Sequence, residues 1–185
     1  MTNWNIQQAG KILLSGGVIT YPTEAVYGLG CVPGNAEAVL RILSLKQRQM
    51  EKGLIVVAAD MSQLEDLVDF DRESGMRKRV MATWPGAVTW LVPARNNTPV
   101  WLTGIHKSLA VRVSSHPAIQ ALCSITGPLV STSANPAGYP PARTALKVRN
   151  YFGDRLDYYL HGNVAKDRQP TEIRDVITNE IIRFG

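Results

Sequence analysis

The chain has 185 residues, of which 45% are hydrophobic and 19% charged, a composition that predicts one globular domain over residues 1–185 and excludes a disordered chain. Twenty Lys and Arg against fifteen Asp and Glu give a formal charge of +5, which favours anionic partners such as nucleotides or RNA. Since no stretch has the roughly 18 apolar residues of a membrane span and the start resembles no export leader, we expect a cytoplasmic protein without membrane contact, in which Cys31 and Cys123 stay reduced.

Apolar spacing and capping residues predict most of the elements in chain order. Asn35 and Thr144 stand where they can cap helices, and Pro117 follows His116 at the first position of another helix. The predicted elements are a helix over 5–15, a strand over 18–21, a helix over 35–45, a strand over 54–58, a short helix opened by a capping box at 60–63, a basic solvated helix face at 72–79, strands over 88–92 and 109–113, a helix from 116, a strand from 129, a helix over 144–152 and a hairpin over 175–183.

Strands and helices are interspersed along the chain, with several strands close together in sequence. This order favours the α/β (α+β) class, a twisted mixed open sheet with flanking helices, over a strictly repeating parallel sheet. Gly28-Leu29-Gly30 interrupts the pattern. The segment is too short to be identified as a dinucleotide-binding loop. A turn that requires positive φ is at least as good an interpretation of its two glycines.

The hydroxyl-rich segment from Ser131 to Asn135 follows the apolar lead-in Leu129-Val130. Ser, Thr and Asn side chains hydrogen-bond to nearby backbone or to a ligand, so the change in chemistry marks the end of a strand. In open α/β sheets, ligands bind at strand ends. A strand end that caps its own turn and a ligand site are equally good interpretations of this segment alone.

Cationic residues lie just after a predicted helix and near the end of a predicted strand. Lys46 and Arg48 follow a predicted helix, where they either complement the helix C-terminus or clamp a phosphate. Arg112 lies in an otherwise apolar strand, and a buried guanidinium needs an anion, supplied either by a protein carboxylate or by a ligand. Glu24 is the acid of the segment that precedes Gly28, and we expect it to form structural hydrogen bonds rather than to assist a substrate amine.

Several common catalytic patterns are absent from the sequence. The chain has no phosphate-binding P-loop, no GxGxxG, no GxSxG and no HExxH motif. Its three His and two Cys lack the spacing of metal ligands, so we expect no metal site formed by protein side chains.

Six ordered segments resemble a known family: PTEAVYGLG from Pro22, LKQR from Leu45, WPGAVT from Trp84, SLAVRV from Ser108, STSAN from Ser131 and PTEIRD from Pro170. They are similar to those of the threonylcarbamoyl-AMP synthases of the Sua5/YrdC group, in the short bacterial TsaC form without an additional C-terminal domain. The resemblance implies a sheet around a basic concave cleft. It also implies synthesis of L-threonylcarbamoyladenylate and pyrophosphate from L-threonine, bicarbonate or CO₂, and ATP carrying Mg²⁺.

The resemblance also implies roles for individual residues. The threonine-binding residues would be Thr23, Arg112, Ser131 and Thr171, with Arg112 on the carboxylate. The nucleotide-binding residues would be Lys46, Arg48, Lys52, Ser108, Ser133, Asn135 and Arg183, among which Lys46 and Arg48 would be catalytic. Longer members of the family carry an amide at the position of Lys52, so the resemblance supports nucleotide binding by Lys52 less than by the other residues.

The implied product serves N6-threonylcarbamoylation of adenosine 37 in tRNAs that read codons starting with A, with a downstream transferase complex as partner. Direct contact with tRNA is left open by the sequence. The alternative function is a tRNA-binding or double-stranded-RNA-binding module without catalysis, which the basic charge also favours. The loop-like segment 163–170 is the candidate lid over the site.

Overall fold

The computed structural model describes residues 2–164 and 171–184. Within them lie six α-helices, named α1 to α6: Asn3–Leu14, Ala36–Lys46, Met76–Met81, Val100–Thr103, Pro117–Thr126 and Ala145–Phe152. Nine strands, β1 to β9, are Ile19–Pro22, Tyr27–Cys31, Ile55–Ala58, Val88–Pro93, Ser108–Val113, Leu129–Ser133, Tyr158–Tyr159, Glu172–Asp175 and Ile181–Arg183. Short 3-10 helices occupy Met50–Lys52, Met61–Leu64 and Gly153–Arg155.

The strands form one mixed sheet in the order β7-β1-β2-β6-β3-β5-β4-β8-β9. The pairs β1–β7, β3–β5 and β4–β8 are parallel, and the remaining neighbours are antiparallel. This is the predicted mixed sheet with helices. Strand β6, which is distant in sequence from its neighbours, lies next to the central strand, between β2 and β3, so the hydroxyl segment at its end reaches the interior of the sheet.

Alternation along the strands divides the core between the two faces of the sheet. One face carries Val56 and Val111 and packs against α2, α3, α4 and α6. The other face carries Val57 and Leu129 and packs against α1 and α5. Arg112 follows Val111 and pairs in register with Val57, so it faces the same side as α1 and α5.

Local capping explains why the helices begin where the sequence predicts. The side chains of Asn35 and Thr144 accept hydrogen bonds from the backbone N–H groups of Ala38 and Lys147. His116 Nδ1 accepts from the Ala118 N–H and caps α5. These N-caps satisfy N–H groups that have no partner within the helix.

Neither interpretation of Gly28-Leu29-Gly30 is right, because these residues form the buried strand β2 with extended backbone. A Cβ on Gly30 would lie 2.6 Å from both the Tyr21 hydroxyl and the Val130 carbonyl oxygen. The tyrosine of β1 therefore packs directly over the backbone of β2. Glycine is required here for close packing and not for a turn.

Candidate active site

A cleft opens on the sheet face that α1 and α5 cover in part, at the ends of β2 and β6. We call its first compartment, of about 300 Å³, the first lobe. Its polar lining residues are Thr23, Glu24, Arg48, Thr89, Arg112, Ser131, Thr132, Ser133, Thr171 and Arg183. The sheet order explains this convergence, because it places β2, β6, β3 and β5 side by side.

A second compartment, the second lobe, encloses about 420 Å³ and shares Arg48, Leu54, Ile55 and Arg183 with the first. Lys52, Ser108, His106 and Lys107 are polar groups of its lining, and its apolar surface comes from Leu91, Leu102, Ala110, Ile173 and Ile182. The two lobes are therefore parts of one cleft. An apolar surface with a polar rim suits a flat, weakly polar group such as a nucleobase.

Arg112 and Glu24 form a buried ion pair at the first lobe. Arg112 Nη2 lies 3.0 Å from Glu24 Oε2, and each side chain is only 7% exposed. Glu24 Oε1 accepts a 2.6 Å hydrogen bond from Ser114 Oγ. The anion that Arg112 requires is thus a protein carboxylate, and the hydrogen bond of Glu24 joins it to the distant Ser114 rather than to its own turn. Two guanidinium nitrogens of Arg112 have no partner in residues 2–164 and 171–184, which leaves them for a ligand.

Hydroxyl groups line the same lobe near Arg112. Thr23 Oγ1 donates to the Val26 carbonyl at 2.7 Å, which fixes its rotamer and leaves its lone pairs toward other donors. Thr171 Oγ1 lies 3.3 Å from Thr89 Oγ1 across the parallel β4–β8 edge. Thr89 was not predicted as a site residue, although it ends one of the six motifs. Ser131 is 8% exposed and also faces the lobe.

Arg48 and Arg183 stand between the two lobes. Arg48 Nη2 donates to the Gly53 carbonyl at 2.9 Å, and Arg183 Nη2 donates to the Thr171 carbonyl at 2.8 Å. Burial, and secondarily the charge of Arg183, lowers the pKa of Arg48, and burial lowers that of Arg183. Two partly buried cations that line both lobes favour an anion between them, and phosphate is the anion that arginine forks bind best.

Lys46 lies at the C-terminus of α2 with its ammonium against the end of β6. Its Nζ donates to the carbonyl oxygens of Ser133 and Asn135, the latter at 2.9 Å. Ser133 Oγ in turn donates to Asn135 Oδ1 at 2.6 Å, and Asn135 Nδ2 donates to the Tyr139 carbonyl at 2.8 Å. Lys46 therefore holds the hydroxyl segment in place. Burial, and secondarily Arg48, lowers the pKa of Lys46 to about 8.

The structure brings most of the predicted site residues together in the two lobes. Those in the first lobe are Thr23, Arg48, Arg112, Ser131, Ser133, Thr171 and Arg183, and those added by the second are Lys52 and Ser108. In the described part of the chain, Lys46 and Asn135 line neither lobe, because both side chains are bonded to the turn after β6.

Of the candidate lid 163–170, residues 165–170 lie outside the described residues. Just before it, the Gly162 carbonyl accepts a 2.6 Å hydrogen bond from the hydroxyl of Tyr27 on β2.

The described residues contain no group of three or more His, Cys, Asp or Glu that could hold a metal ion. No helix in that part of the chain is long and apolar enough to cross a membrane.

The buried Lys46 ammonium predicts a dependence of stability on pH. Between its folded pKa of about 8 and the ordinary value of 10.5, the unfolded chain binds more protons than the folded one, so the free energy of unfolding rises with pH. We expect wild type to gain up to about 3 kcal/mol relative to Lys46→Met between pH 7 and pH 10. Urea unfolding of both proteins across this range measures the gain. Lys11→Met provides the control: it removes an exposed lysine and keeps Lys46, so its free energy of unfolding should follow that of wild type across this range.

The chain is similar over nearly its whole length to proteins of one family. The Sua5/YciO/YrdC family model, described as "Telomere recombination", matches residues 11–185. The threonylcarbamoyl-AMP synthase of Pseudomonas aeruginosa PAO1 is 52% identical over 183 residues, covering 99% of this chain and 98% of that protein. The protein of the same name from Stutzerimonas stutzeri is 50% identical over 181 residues, covering 98% and 97%.

Solved structures share the fold. Sua5 of P. abyssi in complex with L-threonine superposes with a TM-score of 0.90 at 27% identity, covering 99% of this chain and 54% of that one, so the chain spans about half of that protein. E. coli YciO superposes with a TM-score of 0.84 at 27% identity, covering 98% and 89%. HypF of T. kodakarensis, at 17% identity and a TM-score of 0.81, covers 98% of this chain and 24% of that one and shares the fold alone.

Proposed function

The chain belongs to the Sua5/YciO/YrdC family, and we propose that it is an L-threonylcarbamoyladenylate synthase, a nucleotidyltransferase that uses L-threonine, bicarbonate or CO₂, and ATP. One observation carries the proposal: a buried arginine with free donors and a pair of partly buried arginines line a single cleft. The first suits the carboxylate of an amino acid, and the second suits phosphates. Relatives about half identical to the chain bear the name of this enzyme.

In the proposed reaction, the ammonium group of threonine first loses a proton to water or bicarbonate, and the resulting amine adds to CO₂ and releases a second proton to solvent, which gives a carbamate in the first lobe. A carbamate oxygen attacks the α-phosphorus of ATP. The bond between the α-phosphorus and the oxygen that bridges it to the β-phosphorus breaks, and pyrophosphate leaves. Mg²⁺ enters with ATP. Such transfers depend on positioning and on cations around the phosphate oxygens, so Arg48 and Arg183 at the junction of the lobes are placed to supply the protein's share.

The other residues of the cleft divide between the two substrates. Arg112 takes the threonine carboxylate with Thr23, Ser131 and Thr171 around it. Ser133 faces the nucleotide side, and Lys52 and Ser108 line the second lobe, where the base and ribose of ATP would lie. We propose that Lys46 contributes to nucleotide binding by holding the turn that contains Ser133 and Asn135.

The adenylate is reactive and must be handed on, so we propose a downstream transferase complex that places the threonylcarbamoyl group on adenosine 37 of tRNA. Free, buried Cys31 and Cys123, whose pKa values burial raises to about 12, suit the reducing cytoplasm that we propose as its location. The RNA-binding module without catalysis is not favoured, since the relatives are named synthases.

The proposed function is tested by incubating the protein with ATP, Mg²⁺, bicarbonate and each amino acid in turn, and analysing the products by mass spectrometry. We expect threonylcarbamoyladenylate and pyrophosphate with L-threonine and no adenylate when bicarbonate is removed. No adenylate from folded protein, together with tRNA affinity that falls steeply with salt and is indifferent to threonine and ATP, would instead support the RNA-binding module.

A further inference from the structure

Unpartnered polar atoms cluster where Glu24 and Arg112 meet the first lobe. Among the described residues, Arg112 Nε, Arg112 Nη1 and Glu24 Oε2 are buried and take part in no hydrogen bond. Oε2 lies 3.0 Å from Arg112 Nη2 in the ion pair, without the alignment of a hydrogen bond. Buried polar groups are normally paired, since an unmade hydrogen bond costs free energy. Three such atoms beside one cavity indicate a place prepared for a ligand.

The three atoms differ in sign, and this difference identifies the ligand chemistry. Arg112 offers N–H donors on a cation, whereas Glu24 offers an acceptor on an anion. A simple carboxylate or phosphate would satisfy the donors and leave Glu24 Oε2 with its ion-pair contact to Arg112 but without a hydrogen bond. A free α-amino acid satisfies both, because it carries a carboxylate and an ammonium group on the same carbon.

We propose that Glu24 is a substrate-binding residue whose Oε2 accepts a hydrogen bond from the α-amino nitrogen of the amino acid, so that the first lobe selects amino acids over the corresponding hydroxy acids. The inference rests on the proposed function, since it takes threonine as the ligand of this lobe. A carbamate formed from that amine retains one N–H. Glu24 therefore holds the same nitrogen before and after the carbamate forms.

The surroundings of Glu24 fix its carboxylate in the orientation that this role needs. Ser114 Oγ donates to Oε1 at 2.6 Å and itself accepts from the His116 N–H at 3.1 Å, at the start of α5. These two hydrogen bonds anchor Oε1, so that Oε2 is directed toward Arg112 and the lobe. Ser114 lines neither lobe, in the part of the chain that the structure describes, so its replacement loosens Glu24 without changing the cavity wall.

The experiment compares two ligands that differ only at the amino position: L-threonine and 2,3-dihydroxybutanoate of the same configuration. Their affinities are measured by calorimetry with and without α,β-methylene-ATP, which cannot release pyrophosphate. Wild type should bind threonine about tenfold to hundredfold more tightly, as a charge-assisted hydrogen bond implies. Glu24→Gln should abolish this preference. Ser114→Ala, which loosens Glu24, should lower the preference only in part, by weakening threonine more than the hydroxy acid.

A role for Glu24 confined to orienting Arg112 predicts another result, because both ligands carry the carboxylate. Glu24→Gln would then weaken both by one factor and keep their ratio, which would overturn the proposal. Should Glu24→Gln fail to fold, the wild-type comparison decides by itself, since equal affinity for both ligands overturns the proposal. Wild type that binds neither ligand and makes no adenylate would contradict the proposed function as well, whereas adenylate formation without amine preference would contradict the Glu24 inference alone.

Discussion

Arg48→Ala is expected to lower adenylate formation by tens to thousands of fold. Arg48 lines both lobes, and its pKa is lowered by burial and by the nearby Arg183, so the site already bears the cost of two close cations. Phosphate oxygens relieve that repulsion. A charge-assisted hydrogen bond is worth about 1.5 to 3 kcal/mol, and a cation that follows charge into the transition state can contribute more. Release of pyrophosphate in the presence of threonine and bicarbonate measures the loss.

Two further variants distinguish loss of the Arg48 guanidinium as a phosphate donor from loss of positive charge and from loss of the fold. Arg48→Lys keeps a cation but not the planar fork that donates to the Gly53 carbonyl, so we expect an intermediate rate. Arg149→Ala removes an exposed guanidinium of α6 that pairs loosely with Asp154 and should leave the rate unchanged. Pyrophosphate release by Arg48→Ala at nearly the wild-type rate would remove Arg48 from the reaction.

Those parts of the fold that depend on neighbouring residues could be predicted from the sequence. The caps at Asn35 and Thr144 act over a few residues, and the helices begin beside them. Strand β2 could not be predicted, because Gly28 and Gly30 carry no strand preference and are explained only by the tyrosine that packs over them from β1. The order of the sheet depends on pairings between distant segments, which local patterns do not encode.

The same division holds for the site. Residue types and motifs pointed to Arg48, Arg112 and the hydroxyl segment, and the sheet brings them to one cleft. The partners of these residues could not be predicted from the sequence. Glu24 contacts Arg112 only because the strands pair as they do, and Lys46 contacts the end of β6 only because α2 packs there. A motif can thus indicate that a cation matters without indicating whether it contacts the ligand or holds the residues that do.

Arg112→Met is the second variant with a large expected effect, because it acts on both stability and activity. It leaves the Glu24 carboxylate buried and without its cation. Removal of one partner from a buried ion pair destabilises a protein by about 3 to 5 kcal/mol. It also removes the proposed anchor of the threonine carboxylate. We therefore expect a lower midpoint of urea unfolding, together with adenylate formation reduced at least about a hundredfold at low threonine.

The double variant Glu24→Leu/Arg112→Met separates these two effects. With both charges replaced by apolar side chains, no unpaired ion stays buried, and well-packed replacements of this kind are often neutral or stabilising. The urea midpoint should therefore return toward the wild-type value while adenylate formation stays low, since the threonine anchor is still missing. Recovery of activity together with stability would mean that Arg112 serves the fold alone. Failure of the double variant to recover stability would mean that the single variant is destabilised by lost packing of the arginine side chain rather than by the unpaired carboxylate.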